Sequence, residues 1–217
     1  MTLPDFFAAA PVIRMRDPLA DFLGSVEGGI IDYRYEDAVR LAGHSCPTVA
    51  SAFLMTRAAL AALYGEALPV RGEIRVDLAE ARDAGVAGVI ASIATLVTGA
   101  TADSGFRGLA GQFNRRDRLF FDQPLAHGSL RFARLDTGEA AEVAADLARV
   151  PGDPRMGELM PLCLAGQASA ARAEEFRALW QARVRRLLLE FADDPAVIRV
   201  SSVREGSESM STRPRRR

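Results

Sequence analysis

The 217-residue sequence contains no lysine, so all 27 of its basic residues are arginine. That absence removes Schiff-base chemistry, the phosphate-binding lysine of P-loops and any lysine general base. Histidine and cysteine are scarce as well, with two of each. Cysteines only at 46 and 163 do not build the disulfide framework of a small secreted module, which predicts a reducing, cytoplasmic setting. A charge excess is also missing: the net charge of -1 gives no global attraction for nucleic acid or a membrane surface. The opening segment, "MTLPDFFAAAPVIRMRDPLADFLG", carries Pro4 and Asp5 where a signal peptide would be basic, and Arg14 and Arg16 interrupt it. Neither a signal peptide nor a membrane span is expected there.

With 49% hydrophobic and 25% charged residues, the composition is that of an ordinary globular domain, expected over residues 1–200. The terminal stretch "REGSESMSTRPRRR" is nearly free of apolar residues, so 201–217 reads as a disordered tail. Between these limits "YRYEDAVRLAG" predicts a helix from Tyr35 that stops at Gly43. A second helix starts at Pro47 and runs to Tyr64, with Val49, Phe53, Thr56, Leu60 and Leu63 on one face. "GEIRVDL" alternates as a half-buried strand. Gly85 to Thr98 lacks charge almost entirely and predicts a helix buried on most sides, although its Val and Ile leave a strand open. A Gly-rich stretch, "TGATADSGFRGLAGQFNRRD", then reads as a long loop. Three strands follow in "RLFFD", "SLRFARLD" and "AEVAADL", the last two joined by a turn at Asp136-Thr137-Gly138. "SAARAEEFRALWQARVRRLLLEF" closes the domain as an amphipathic helix with Phe176, Trp180, Val184, Leu187 and Phe191 on its stripe. The predicted class is α+β: helix, strand, helix, then three strands in a mixed sheet, with an added C-terminal helix.

"AGHSCPT" brings one of the two histidines and one of the two cysteines into a single turn. Because Cys46 precedes Pro47, it is expected at the cap of the second helix, where unpaired backbone N–H groups and the helix dipole favour a thiolate. A thiolate serves equally as metal ligand or nucleophile, with His44 as a second ligand or a partnering base. A third role, packing without chemistry, stays open on spacing alone. The other soft donors are His127 and Cys163, the latter in the apolar context "LMPLCLAG" that suggests a packed thiol. Glu80, Asp83 and Asp103 are expected to be solvated, as are Arg115, Arg116 and Arg118 along the edge of the first sheet strand. Trp180 is expected in the core.

The stretch "YEDAVRLAGHSCPTVASAFLMTRAAL" resembles the helix–GHxCP–helix signature of the FmdE-like family of formylmethanofuran dehydrogenase components. "VTGATADSGFRG" is similar to that family's Gly-rich loop, and the hairpin around "RLDTG" to its hairpin. The likeness extends over roughly residues 15 to 190, closer to a bacterial branch than to the archaeal members. It implies a mixed-sheet α+β fold, a bound divalent transition metal, usually zinc, and an intertwined homodimer. Gly43, His44, Cys46 and Pro47 carry over from the motif. The family's further donors fall on Ala42, Ala84 and Ala100, and Ser104-Gly105 replaces a Gly-Lys pair. The resemblance thus implies a site reduced to His44 and Cys46, with His127 as candidate third ligand and positions open to a small molecule. Its implied role is catalysis, or metal or cofactor handling for a molybdenum- or tungsten-type enzyme; a metal-free thiol protein and a structural accessory protein are the alternatives.

Overall fold

The computed structural model describes residues 3–203. After a 3-10 turn (Asp5–Ala9), β1 (Ile13–Arg16) and β2 (Ile30–Tyr33) form a two-stranded antiparallel ribbon with the short helix α1 (Pro18–Phe22) between them. Helix α2 (Tyr35–Ala42) ends at Gly43, whose φ of 74° is the left-handed conformation that glycine adopts without strain. Cys46 then caps α3 (Pro47–Tyr64), with Pro47 supplying a preset φ at the first helical position. Next come β3 (Ile74–Leu78), α4 (Ala87–Thr98), β4 (Leu119–Phe120), β5 (Leu130–Arg134) and β6 (Ala140–Ala145). The described chain closes with α5 (Arg155–Leu164), α6 (Ala170–Leu189) and β7 (Ile198–Val203). The main sheet has the order β4-β3-β5-β6-β7, with β4 parallel to β3 and every other pairing antiparallel. The fold is α+β, and the run from α3 to β6 is the predicted helix–strand–helix–three-strand order.

Helix α3 is the axis of the core. Almost every position from Val49 to Leu60 is buried, because α2 and α4 cover flanks that the strands of the sheet leave open. Alternation puts Ile74, Val76, Leu78, Leu130, Phe132 and Val143 on the sheet face toward this core, each essentially without exposure. Full burial of a side chain such as Phe53 contributes about 1.5–3 kcal/mol. On the other face Asp77 is completely buried, and Arg75 and Arg131 reach it at 2.7 Å each.

Several elements differ from the sequence reading. Pro161 inside α5 removes one backbone donor, which disguises a helix that the chain nonetheless forms. β7 starts within the expected domain and runs into the expected tail: strand pairing with β6 extends through Val203, past the expected boundary at 200, and 204–217 lie outside the described residues. Helix α4 is less enclosed than expected. Ala87, Ala91, Ile93, Ala94 and Val97 are buried, but Gly88, Ser92, Thr95 and Leu96 form the wall of open cavities. Among the described residues no helix is long and apolar enough to cross a membrane.

Arg115, expected on a solvated edge, is only 5% exposed. Its Nη2 donates to Asp17 Oδ1 at 2.6 Å, and Arg71 Nη1 donates to Asp17 Oδ2 at 3.0 Å. Arg116 and Arg118 are half-buried beside it. Asp17 also caps α1 by accepting from Leu19 N at 2.9 Å, while Arg71 donates to the Leu96 and Val97 carbonyls near the end of α4. One carboxylate therefore ties α1, the approach to β3, α4 and the Gly-rich loop together. Gly72 is required here: its φ is 89°, and a Cβ would run into the Arg115 guanidinium.

Burial by itself raises the Asp17 carboxyl, but Arg115, Arg71 and the Leu19 N–H outweigh it and hold the group below its ordinary value. A carboxyl depressed in the folded state contributes stability at neutral pH that is lost as pH falls from the ordinary carboxylate range through the depressed value. Asp17→Asn, which leaves Arg115 buried beside a neutral partner, is expected to cost about 3–5 kcal/mol. It should also flatten the acid limb of the Tm–pH profile; a variant profile parallel to the wild type would contradict this assignment.

Candidate metal centre and adjoining cavity

The turn between α2 and α3 is built residue by residue. Gly43 reverses the chain, so His44 follows directly on the exposed side, where its Nδ1 lies 2.9 Å from the Ala42 carbonyl oxygen. A carbonyl only accepts, so Nδ1 carries the ring proton and Nε2 is left with its lone pair. Ser45 is gripped from two sides by four hydrogen bonds. Its hydroxyl donates to Gln181 Oε1 at 3.0 Å, so Tyr35, 2.9 Å away, is the donor to Ser45 Oγ. Its carbonyl accepts from Trp180 Nε1 at 3.0 Å and Gln181 Nε2 at 3.2 Å. Burial pushes the Tyr35 hydroxyl far above its ordinary value, which keeps the proton that this network uses. Cys46 is 9% exposed, and its Sγ accepts from Val49 N at 3.4 Å.

His44 lines a cavity of about 210 Å³ together with Leu41, Ala42, Gly88, Val89, Ser92 and Ile93. A larger cavity of about 470 Å³ shares Leu41, Gly88 and Ser92 with it. The larger space is walled by Leu96, Leu119 and Phe121, with Thr95 and Thr101 as hydroxyls and Arg71 and Arg82 as the charged residues. The small residues Gly88, Ala91 and Ser92 on the α4 wall leave this volume free.

His44 and Cys46 are thus held on one rigid turn. His127 is placed elsewhere, in the loop between β4 and β5, where its backbone N–H donates to the buried Glu142 carboxylate at 2.6 Å and its side chain is exposed. Among the described residues of one chain no three His, Cys, Asp or Glu side chains gather as a metal site, so His127 does not join the other two within a chain. Cys163 is half-buried on α5, and both cysteines are free. Glu80, Asp83 and Asp103 are exposed, as expected. Trp180 is half-buried and packs against the core, and its indole N–H donates to the Ser45 carbonyl. Sequence reasoning passed over Ser45, Tyr35 and Gln181. Only the polar Gln181 beside Trp180 on the helix stripe hinted at a partner. Ala42 borders the smaller cavity, and Ala100 is wholly buried.

No protein-family model matches this chain, and no curated protein matches it.

Ser45→Ala strips a partner from both Tyr35 and Gln181 and is expected to lower stability by about 1–3 kcal/mol in chemical denaturation. Cys46→Ser keeps an acceptor at the cap and should leave stability unchanged within about 0.5 kcal/mol. A Ser45→Ala variant as stable as wild type would show that the turn is held by something other than this network.

Proposed function

We propose that this chain is a metal-binding protein whose GHSCP turn holds a divalent ion, zinc by donor chemistry, through His44 Nε2 and Cys46 Sγ. The observation that carries the reading is the His44 Nδ1–H bond to the Ala42 carbonyl. Metal-ligating histidines are oriented in this way, the second ring nitrogen donating to a carbonyl so that the free one is fixed and more basic. The donor set fits a borderline-soft ion: an imidazole nitrogen with a free lone pair and a thiol that already accepts one backbone N–H at a helix cap. Since Cys46 is 9% exposed, its sulfur suits a small ion better than attack on a bulky electrophile, which favours ligand over nucleophile.

Two protein ligands leave the other positions to water, to a molecule in the adjoining cavities, or to a second copy. A divalent ion at an open site supplies Lewis acidity. The chain's own residues fix the histidine tautomer, hold the thiol in place and shape the cavity. Catalysis on a small molecule, or metal or cofactor handling for a molybdenum- or tungsten-type enzyme, are the roles consistent with such a site. The resemblance to the FmdE-like family supports the same reading through Gly43, His44, Cys46 and Pro47. A reducing cytoplasm is the compartment that keeps the Cys46 thiol available, and a homodimer is the arrangement that brings the exposed His127 of another copy within reach as a third ligand.

Elemental analysis of untagged protein, reconstituted with zinc under reducing conditions, tests the proposal. The expected result is stoichiometric zinc in the wild type and in Cys163→Ala, falling well below stoichiometry in His44→Ala and Cys46→Ser. Because both ligands must be deprotonated, zinc should also be released on acidification. Wild-type protein that retains no zinc contradicts the reading. Light scattering at micromolar concentration is expected to give the mass of a dimer; a monomer would remove the second copy as a ligand source.

A further inference from the structure

The cavity that His44 lines and the larger one that shares part of its wall are electrostatically one-sided. Neither is lined by an aspartate or glutamate, while Arg71 and Arg82 both line the larger one. The two arginines differ in what they have left to offer. Arg71 is occupied, with donors on Asp17, Leu96 and Val97. Arg82 takes part in no salt bridge or side-chain hydrogen bond among the described residues; its guanidinium instead lies 5.5 Å from the Phe121 ring centre. That cation–π contact keeps a free charge at the cavity wall. The rest of the lining is chiefly apolar, through Leu41, Leu96, Leu119 and Phe121, and a volume of about 470 Å³ is in the range of small-molecule sites.

From this arrangement we infer that the larger cavity binds a small amphipathic monoanion, a carboxylic acid with an aryl or alkyl body, whose carboxylate pairs with Arg82. One free guanidinium matches one carboxylate, which it meets with paired N–H donors. A nucleotide or other polyphosphate is disfavoured, because its several charges would need several free cations where the wall offers one unpaired arginine, the hydroxyls of Ser92, Thr95 and Thr101 being spent on the Gly88, Ala100 and Arg115 carbonyls. The apolar body rests on Leu41, Leu96, Leu119 and Phe121. The part that rests on Gly88 and Ser92 borders the smaller cavity, which His44 lines. The role of His44 in this inference rests on the metal-binding reading; the Arg82 contact does not.

Isothermal titration calorimetry with phenylacetate and hexanoate, each against its neutral amide, tests the inference on the full chain in zinc-free and zinc-loaded form. The acids are expected to bind at least tenfold more tightly than the amides. Arg82→Gln should reduce the acids to the level of the amides, while Arg82→Lys retains part of the preference. Ser92→Trp, which puts a bulky ring into the cavity wall at an exposed position, should abolish binding. Failure of both acids to bind the wild type, or equal binding to Arg82→Gln, overturns the inference. Acid binding by a protein that takes up no zinc would sustain this site while removing the metal-binding reading, and zinc uptake without acid binding would do the reverse.

Discussion

The candidate site depends on how Ser45 is held. A short turn joining two helices has few means of fixing its own side chains, and this one borrows them from a helix far along the chain. Trp180 and Gln181 on α6 close on the Ser45 carbonyl, and Gln181 and the buried Tyr35 close on its hydroxyl. With Ser45 immobilised, its two neighbours are constrained as well. The exposed His44 has its ring pinned to the Ala42 carbonyl, and the nearly buried Cys46 accepts from Val49 N in the first turn of α3. The C-terminal helix, which the core alone would explain through Val184, Leu187 and Leu188, is therefore also a support for the turn.

A second constraint comes from α4. Its uncharged sequence serves two surfaces: Ile93, Ala94 and Val97 fill the core, while Gly88 and Ser92 leave room on the other side. A helix that must both pack and border a cavity uses small residues where the cavity lies. Leu41, exposed at the end of α2, completes the wall beside His44. The buried Asp17–Arg115–Arg71 cluster then fixes the Gly-rich loop whose residues Thr101 and Ala102 form the remaining side. Turn, helix and loop converge on the same space from separate parts of the chain.

The helices α2 and α3 were legible in the sequence because Gly43 and Pro47 punctuate them, and α6 because of its apolar stripe, whereas the Val and Ile of α4 left a strand open. The cap role of Cys46 was legible for the same reason, being a consequence of the proline that follows it. What could not be read is what depends on distant partners. β7 is a strand only because β6 offers it an edge, α5 tolerates Pro161 through its packing on α6, and Arg115 is buried only because Asp17 awaits it. The same holds at the site: the histidine and cysteine stand out by their rarity, whereas Trp180 and Gln181, which hold the Ser45 between them, lie 135 and 136 positions away from it.

If His44 holds a metal ion, its Nε2 must offer a lone pair while Nδ1 keeps the proton shared with the Ala42 carbonyl. Nitrogen-15 NMR of the imidazole tests it most directly, since the two ring nitrogens report protonation and coordination separately. The account predicts the Nδ1–H tautomer in the metal-free protein and, on addition of zinc, a displacement of the Nε2 resonance while the Nδ1 proton stays in place. An Nε2–H tautomer, or an Nε2 resonance that zinc does not move in wild-type protein under reducing conditions, would contradict it.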